Sequence, residues 1–266
     1  MMHPAIASAL VLVATWDSWH WYLGRVAMAP DDVAALIVVV AILAMTGPHR
    51  IQPTTVKQLP LATLAFLLTG YAASRSVLPP IARAGFAAAL SLFCLHVTVF
   101  HRRPPAQLWG MAALALPILP SLQFMLGYPL RIASAALTAL LLKTHGLAIQ
   151  RQGTFLVWQG AMVQFDAPCS GVNMLWAGLL FTLGACTLLH LSAMKTTAAV
   201  ACSIVLAVAA NVLRTSSLYY LETGFTAGVP SWLHEGTGLA AFALSAVVMG
   251  WLLGRLRACG RPLWAS

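Results

Sequence analysis

The stretch TAAVACSIVLAVAANVLR, residues 197–214, decides what kind of chain this is. Between Ala198 and Ala210 it carries no charge and a single hydroxyl, and the apolar window continues to Leu218. That meets the roughly 20 residues a helix needs to cross a hydrocarbon core of about 30 Å. Asn211 and Arg214 interrupt it near one end, three residues apart, and so project from one helical face. An unpaired guanidinium costs about 2–3 kcal/mol at the centre of a bilayer and less toward its surface. Its position near the end of the run therefore needs a reason.

The rest of the chain agrees with a membrane setting. Its 266 residues are 60% hydrophobic and 8% charged, with a mean hydropathy of +0.84. Soluble domains carry roughly 25% charged residues, so a water-soluble fold is excluded. Apolar blocks centred on 5–22, 32–46, 59–74, 81–100, 107–127, 170–189, 197–218 and 237–254 predict an all-α polytopic membrane protein of about eight spans. No polar linker parts them, so residues 1–266 are read as one domain. The first run, Ala5 to Ala14, lacks the basic start and small-residue cleavage site of a signal peptide and is expected to stay as a membrane helix. Its second half, with Trp16, Asp17, Trp19, His20, Trp21 and Tyr22, fits an aromatic belt at the outer interface.

Basic residues set the orientation. With the N-terminus inside, Arg50, Lys57, Arg102, Arg103, Lys195, Arg255, Arg257 and Arg261 are cytoplasmic. In the last three spans, only Arg214 stands at the outer ends. Between the fifth and sixth spans, Pro129 to Thr144 is apolar but framed by Arg131 and Lys143, which predicts a short helix lying in the outer interface. Strand-forming residues and Gly breaks from Ala148 to Gly160 then predict a small hairpin running on to Phe165.

The polar clusters fall at predicted helix ends on one side. They are Asp166-Ala167-Pro168-Cys169-Ser170-Gly171, Asn211-Val212-Leu213-Arg214 and His234-Glu235-Gly236-Thr237-Gly238. Of five cysteines, Cys94, Cys186 and Cys202 lie in predicted spans and read as small buried hydrophobes. Cys259 lies in the tail. Cys169 is expected on the outer face with no obvious disulfide partner, where oxidising conditions favour disulfides. Pro168 places it at the start of a helix near Ser170, where free N–H groups and the helix dipole favour a thiolate. Gly171 lets a substrate backbone come close. Asn211 and Arg214 can hold a carbonyl, a carboxylate or that thiolate, and His234 is suited to proton transfer near neutral pH.

Blander readings compete for each residue taken singly: a small-residue loop before a helix, a terminal arginine snorkelling to water, a structural histidine. Their convergence at one membrane depth favours a Cys nucleophile, a His proton shuttle and an Arg that stabilises negative charge, in acyl transfer through a thioester. Gly238 stands where HExxH would need its second histidine, so a zinc protease is improbable. No nucleotide, flavin or metal fingerprint is visible, no cofactor is expected, and the +9 charge follows from membrane topology rather than nucleic acid.

At PCSG with Cys169, NVLR with Arg214, and His234 followed by Gly238, the sequence resembles the exosortase/archaeosortase family of polytopic membrane enzymes, chiefly over residues 145–254. The resemblance implies Cys169 as nucleophile, Arg214 as its charge partner and His234 as acid/base, with Asn211, Asp166, Ser170 and Gly171 in support. It also implies a cysteine transpeptidase of the bacterial inner membrane, acting on its outer, periplasmic face. Its substrates would be membrane-anchored proteins ending in a PEP-CTERM-like sorting signal, and the acceptor a lipid, a polysaccharide or water. A link to exopolysaccharide export belongs to the same expectation. Two alternatives stay open: a hydrolase that uses only water, and a non-enzymatic transporter or assembly scaffold.

Overall fold

The computed structural model describes residues 4–29, 32–45, 61–100, 103–165, 167–224 and 230–258. These form two compact units, Met1–Ile118 and Leu119–Ser266. Asp166, Arg50, Lys57, Arg102, Cys259 and Arg261 lie outside the described residues.

The first unit contains α1 (Pro4–Ala14), α2 (Trp16–Met28), α3 (Val33–Met45), α4 (Leu61–Ser74), α5 (Pro80–Thr98) and α6 (Ala106–Leu114). The predicted first span is broken at Thr15, whose φ of −103° and ψ of 12° leave the helical region. The Thr15 hydroxyl donates to the Val11 carbonyl at 2.7 Å, competing with the helix ladder. Asp17, expected in an aromatic belt, is instead a tie between helices. It accepts from the Tyr71 hydroxyl at 2.7 Å and pairs with Arg75 at 2.9 Å and Arg83 at 3.5 Å. Ala7, Val11, Leu64, Tyr71, Ala87, Leu90 and Cys94 fill the core beneath it.

The second unit contains α7 (Leu119–Thr144), a small sheet, a 3-10 turn over Ala167–Ser170, α8 (Val172–Leu188), α9 (Ala193–Gly224) and α10 (Ser231–Ala258). Here two expectations are corrected. The predicted span 107–127 is divided, because Pro117 and Pro120 end α6 and open α7, proline being tolerated in a first turn but not in a helix interior. The predicted interfacial helix 129–144 is the second half of α7, which runs through Pro129 without stopping. In an apolar helix, the donor that Pro129 lacks is tolerated through neighbouring helices, adjacent side chains and local adjustment.

The predicted hairpin is a three-stranded antiparallel meander: β1 (Gln150–Gln152), β2 (Phe155–Trp158) and β3 (Ala161–Gln164). The register pairs Gln152 with Phe155 and Trp158 with Ala161, so each connection is two residues long. Gln159 and Gly160 both have positive φ, 49° and 83°, as a type I′ turn demands.

Among the described residues, Pro80–Thr98, Leu119–Thr144, Ala193–Leu221 and Glu235–Ala258 are long and apolar enough to cross a membrane. Val33–Met45, Leu61–Ser74 and Val172–Leu188 are apolar but shorter. The fold is thus an all-α membrane protein with one small sheet, and the count of about eight spans is not reached. The break at Thr15 and the 13, 14 and 17 residues of α3, α4 and α8 account for the shortfall.

Side-chain contacts fix the helix directions in the second unit. Asn211 meets Ser134, and Thr215 meets Thr138 at 2.8 Å, one turn further along both helices, so α7 and α9 run parallel. Gly171 faces Asn211 while Gly178 faces Ser203, so α8 is antiparallel to α9. Gly238 faces Arg214, and Lys195 Nζ donates to the Leu256 carbonyl, so α10 is antiparallel to α9 as well. An interhelical hydrogen bond within a membrane contributes about 0.6 kcal/mol on average. Two of them fix register between α7 and α9, while small residues such as Ala207, Ala210 and Gly178 allow the close packing.

Candidate active site

The site begins with the sheet. Leu156 and Phe165 are buried with Ile149, Ala135, Ala139, Leu142 and Tyr219, so one apolar cluster joins the sheet to α7 and to the end of α9. Cys169 packs against the edge of this cluster, half-buried, with Trp158 and Val163. Two strands and a helix therefore fix where the thiol emerges.

Cys169 is not on the first turn of α8, as its sequence setting predicts. It lies in the separate 3-10 turn, and α8 opens after Gly171. The cause is Gly171 itself, whose φ of 78° is left-handed and breaks the helical path. A Cβ there would also come within 2.8 Å of Asn211 Cγ. Glycine is required twice over, by dihedral and by space, and the space is needed for an amide of its own protein. Ser170 is buried, and its hydroxyl accepts the Val172 N–H at 3.4 Å, so it supports the turn from inside.

Asn211 is the link between segments. Its Nδ2 donates to the Cys169 carbonyl at 2.9 Å and to Ser134 Oγ at 2.9 Å. The side chain is 1% exposed, so bulk water does not compete for these bonds. Asn211 thus ties the Cys169 turn to α9 and α9 to α7. A cavity of about 20 Å³ beside it, lined by Ser134, Ser170 and Gly171 among others, has room for one water, which needs about 10–15 Å³, but not for a side chain.

Arg214 follows Asn211 by three residues on α9 and is half-buried, with its Nε fully so. A Cβ on Gly238 would stand 3.2 Å from that Nε and 3.5 Å from the guanidinium carbon. Gly238 is therefore the gap in α10 through which the guanidinium packs. His234 is four residues earlier on α10, one turn from that gap, and its side chain lies outside what is described. Asp166 is likewise outside the described residues. The structure joins Cys169, Gly171 and Asn211 directly, brings Arg214 against α10, and puts the His234 backbone at the same end of the bundle.

That end is opposite the basic one. Lys195, Arg255 and Arg257 gather where α9 begins and α10 finishes. The other cysteines divide: Cys94 and Cys186 are buried, as expected of small hydrophobes, whereas Cys202 is exposed on the side of α9. Sequence reading missed Ser134, a small hydroxyl in an apolar run that carried no signal. It saw Gly238 as the place of an absent histidine and as part of the resemblance, not as the gap that admits Arg214.

No curated protein and no solved structure matches the chain. The family described as transmembrane exosortase matches residues 29–251, which include every described site residue. The chain belongs to the transmembrane exosortase family, a family of membrane sorting transpeptidases.

Proposed function

We propose that the protein is a cysteine transpeptidase that cleaves C-terminal sorting signals on membrane-anchored proteins, with Cys169 as nucleophile. The observation that carries this reading is the Asn211 amide, which ties the Cys169 turn to the helix bearing Arg214, itself packed against the helix bearing His234. A chain that needed only a loop before a helix has no use for that linkage.

In the reaction, the thiol proton passes to His234 and sulfur attacks the scissile carbonyl carbon. The Arg214 guanidinium stabilises the oxyanion, which otherwise develops at a depth of low dielectric. Collapse breaks the C–N bond and forms a thioester, and His234 returns the proton to the departing amine. An acceptor hydroxyl, amine or water then loses its proton to His234 and attacks the thioester, releasing Cys169 with the proton restored. The site faces the periplasm of a bacterial inner membrane, the acceptor is a lipid, a polysaccharide or water, and substrates bear a PEP-CTERM-like ending. Mass spectrometry of the processed C-terminus tests the acceptor: an added mass supports transpeptidation, and a free carboxylate reduces the activity to hydrolysis. Unchanged processing by a Cys169→Ala protein overturns the nucleophile and leaves a scaffold.

A further inference from the structure

We propose that Ser134 is a positioning residue for Cys169, acting from α7 through the Asn211 amide; this rests on the nucleophile role proposed for Cys169. Asn211 Nδ2 has two hydrogens, and both are used, one on Ser134 Oγ and one on the Cys169 carbonyl, each at 2.9 Å. The assignment of the amide follows from the second contact. Turned over, Asn211 would set its own oxygen 2.9 Å from the carbonyl oxygen of Cys169, which is repulsive. Because the two N–H directions of an amide are rigidly related, anchoring one at Ser134 aims the other at Cys169.

The surroundings leave the amide no other course. Gly171 presses on Asn211 closely enough that a Cβ would collide with it. Ser134 and Asn211 are both buried, at 3% and 1% exposure. With Ser134 removed, one Nδ2 hydrogen loses its protein acceptor, and the amide is free to rotate off Cys169. The Thr138–Thr215 bond, one turn further along the same helix pair, makes a natural contrast. It docks α7 on α9 in the same way, and neither hydroxyl is hydrogen-bonded to the Cys169 turn among the described residues.

The test uses the full chain in detergent and reads alkylation of Cys169 by iodoacetamide against pH, by peptide mass spectrometry. No substrate is needed. Ser134→Ala slows Cys169 alkylation by about tenfold and displaces its pH midpoint, the scale expected when a buried hydrogen-bond partner is lost. Thr138→Val leaves the profile as in the wild type while lowering thermal stability. The Ser134→Thr and Ser134→Val pair repeats the comparison at matched volume, so only the hydroxyl distinguishes them, and the Thr protein keeps the wild-type profile. Asn211→Leu removes both donated bonds without offering Ser134 a new acceptor, and adding Ser134→Ala to it changes nothing more, since Ser134 acts only through Asn211. A wild-type profile in folded Ser134→Ala, equal profiles for the Thr and Val proteins, or additive losses in the double variant each overturn the proposal. Normal processing by Cys169→Ala would defeat the proposed activity without altering these alkylation results, so the two failures are distinguishable.

Discussion

At the scale of single residues, glycine decides as much as the reactive groups do. Gly171 has a φ of 78° and no room for a Cβ beside Asn211. Gly171→Ala is expected to cost about 1–3 kcal/mol in backbone strain, read as a lowered melting temperature in detergent, and to reduce processing beyond what the lost stability explains. Gly238→Ala is a milder case. Its methyl would stand 3.2 Å from Arg214 Nε, so the helix stays intact while the guanidinium is displaced. The guanidinium must give by only a few tenths of an ångström, so Gly238→Ala should lower processing by less than the roughly 10²-fold that a misplacement of about 1 Å can cost, at unchanged stability. The types and order of Cys169, Asn211, Arg214 and His234 were legible because polar groups in apolar runs stand out. The role of Gly238 was not legible, since a gap is defined by what fills it from another helix.

At the scale of elements, the sheet matters most. It is the part of the second unit built outside the long helices, and it shares one core with Cys169. Leu156 is fully buried in that core. Leu156→Ala should destabilise the second unit by about 2–5 kcal/mol and make Cys169 alkylation faster and less selective, as a loosened turn exposes the thiol. Thermal scans and peptide-level labelling read the two effects separately. The sequence signalled strands here through its Gly breaks and β-branched residues, but a third strand of four residues, Ala-Met-Val-Gln, carries too little pattern to be told from an exit loop. Pro129 misled in the opposite sense. Proline ends helices in water, but in an apolar helix packed on α9 its cost is absorbed, and α7 runs on for another 15 residues, from Leu130 to Thr144.

At the scale of the whole molecule, the second unit has two unlike ends. One carries Lys195, Arg255 and Arg257, and the other carries the sheet, Cys169, Arg214 and the start of α10. With the basic end in the cytoplasm, a cysteine introduced at Thr154 should react with a membrane-impermeant maleimide on intact cells, whereas one at Ser192 should react only after permeabilisation. The reverse pattern would put the site on the cytoplasmic side. Parity of the last helices was legible from their length and from the Lys/Arg bias. The first unit was less so, because its helices are short and their breaks depend on single residues such as Thr15. The most direct measurement of the central claim is processing of a co-encoded membrane protein that ends in a Pro-Glu-Pro-like motif, an apolar helix and arginines. Wild-type, Cys169→Ala and Cys186→Ala proteins are compared at matched membrane levels. The account predicts full processing by wild type and Cys186→Ala and none by Cys169→Ala; processing that continues without the Cys169 thiol would contradict it.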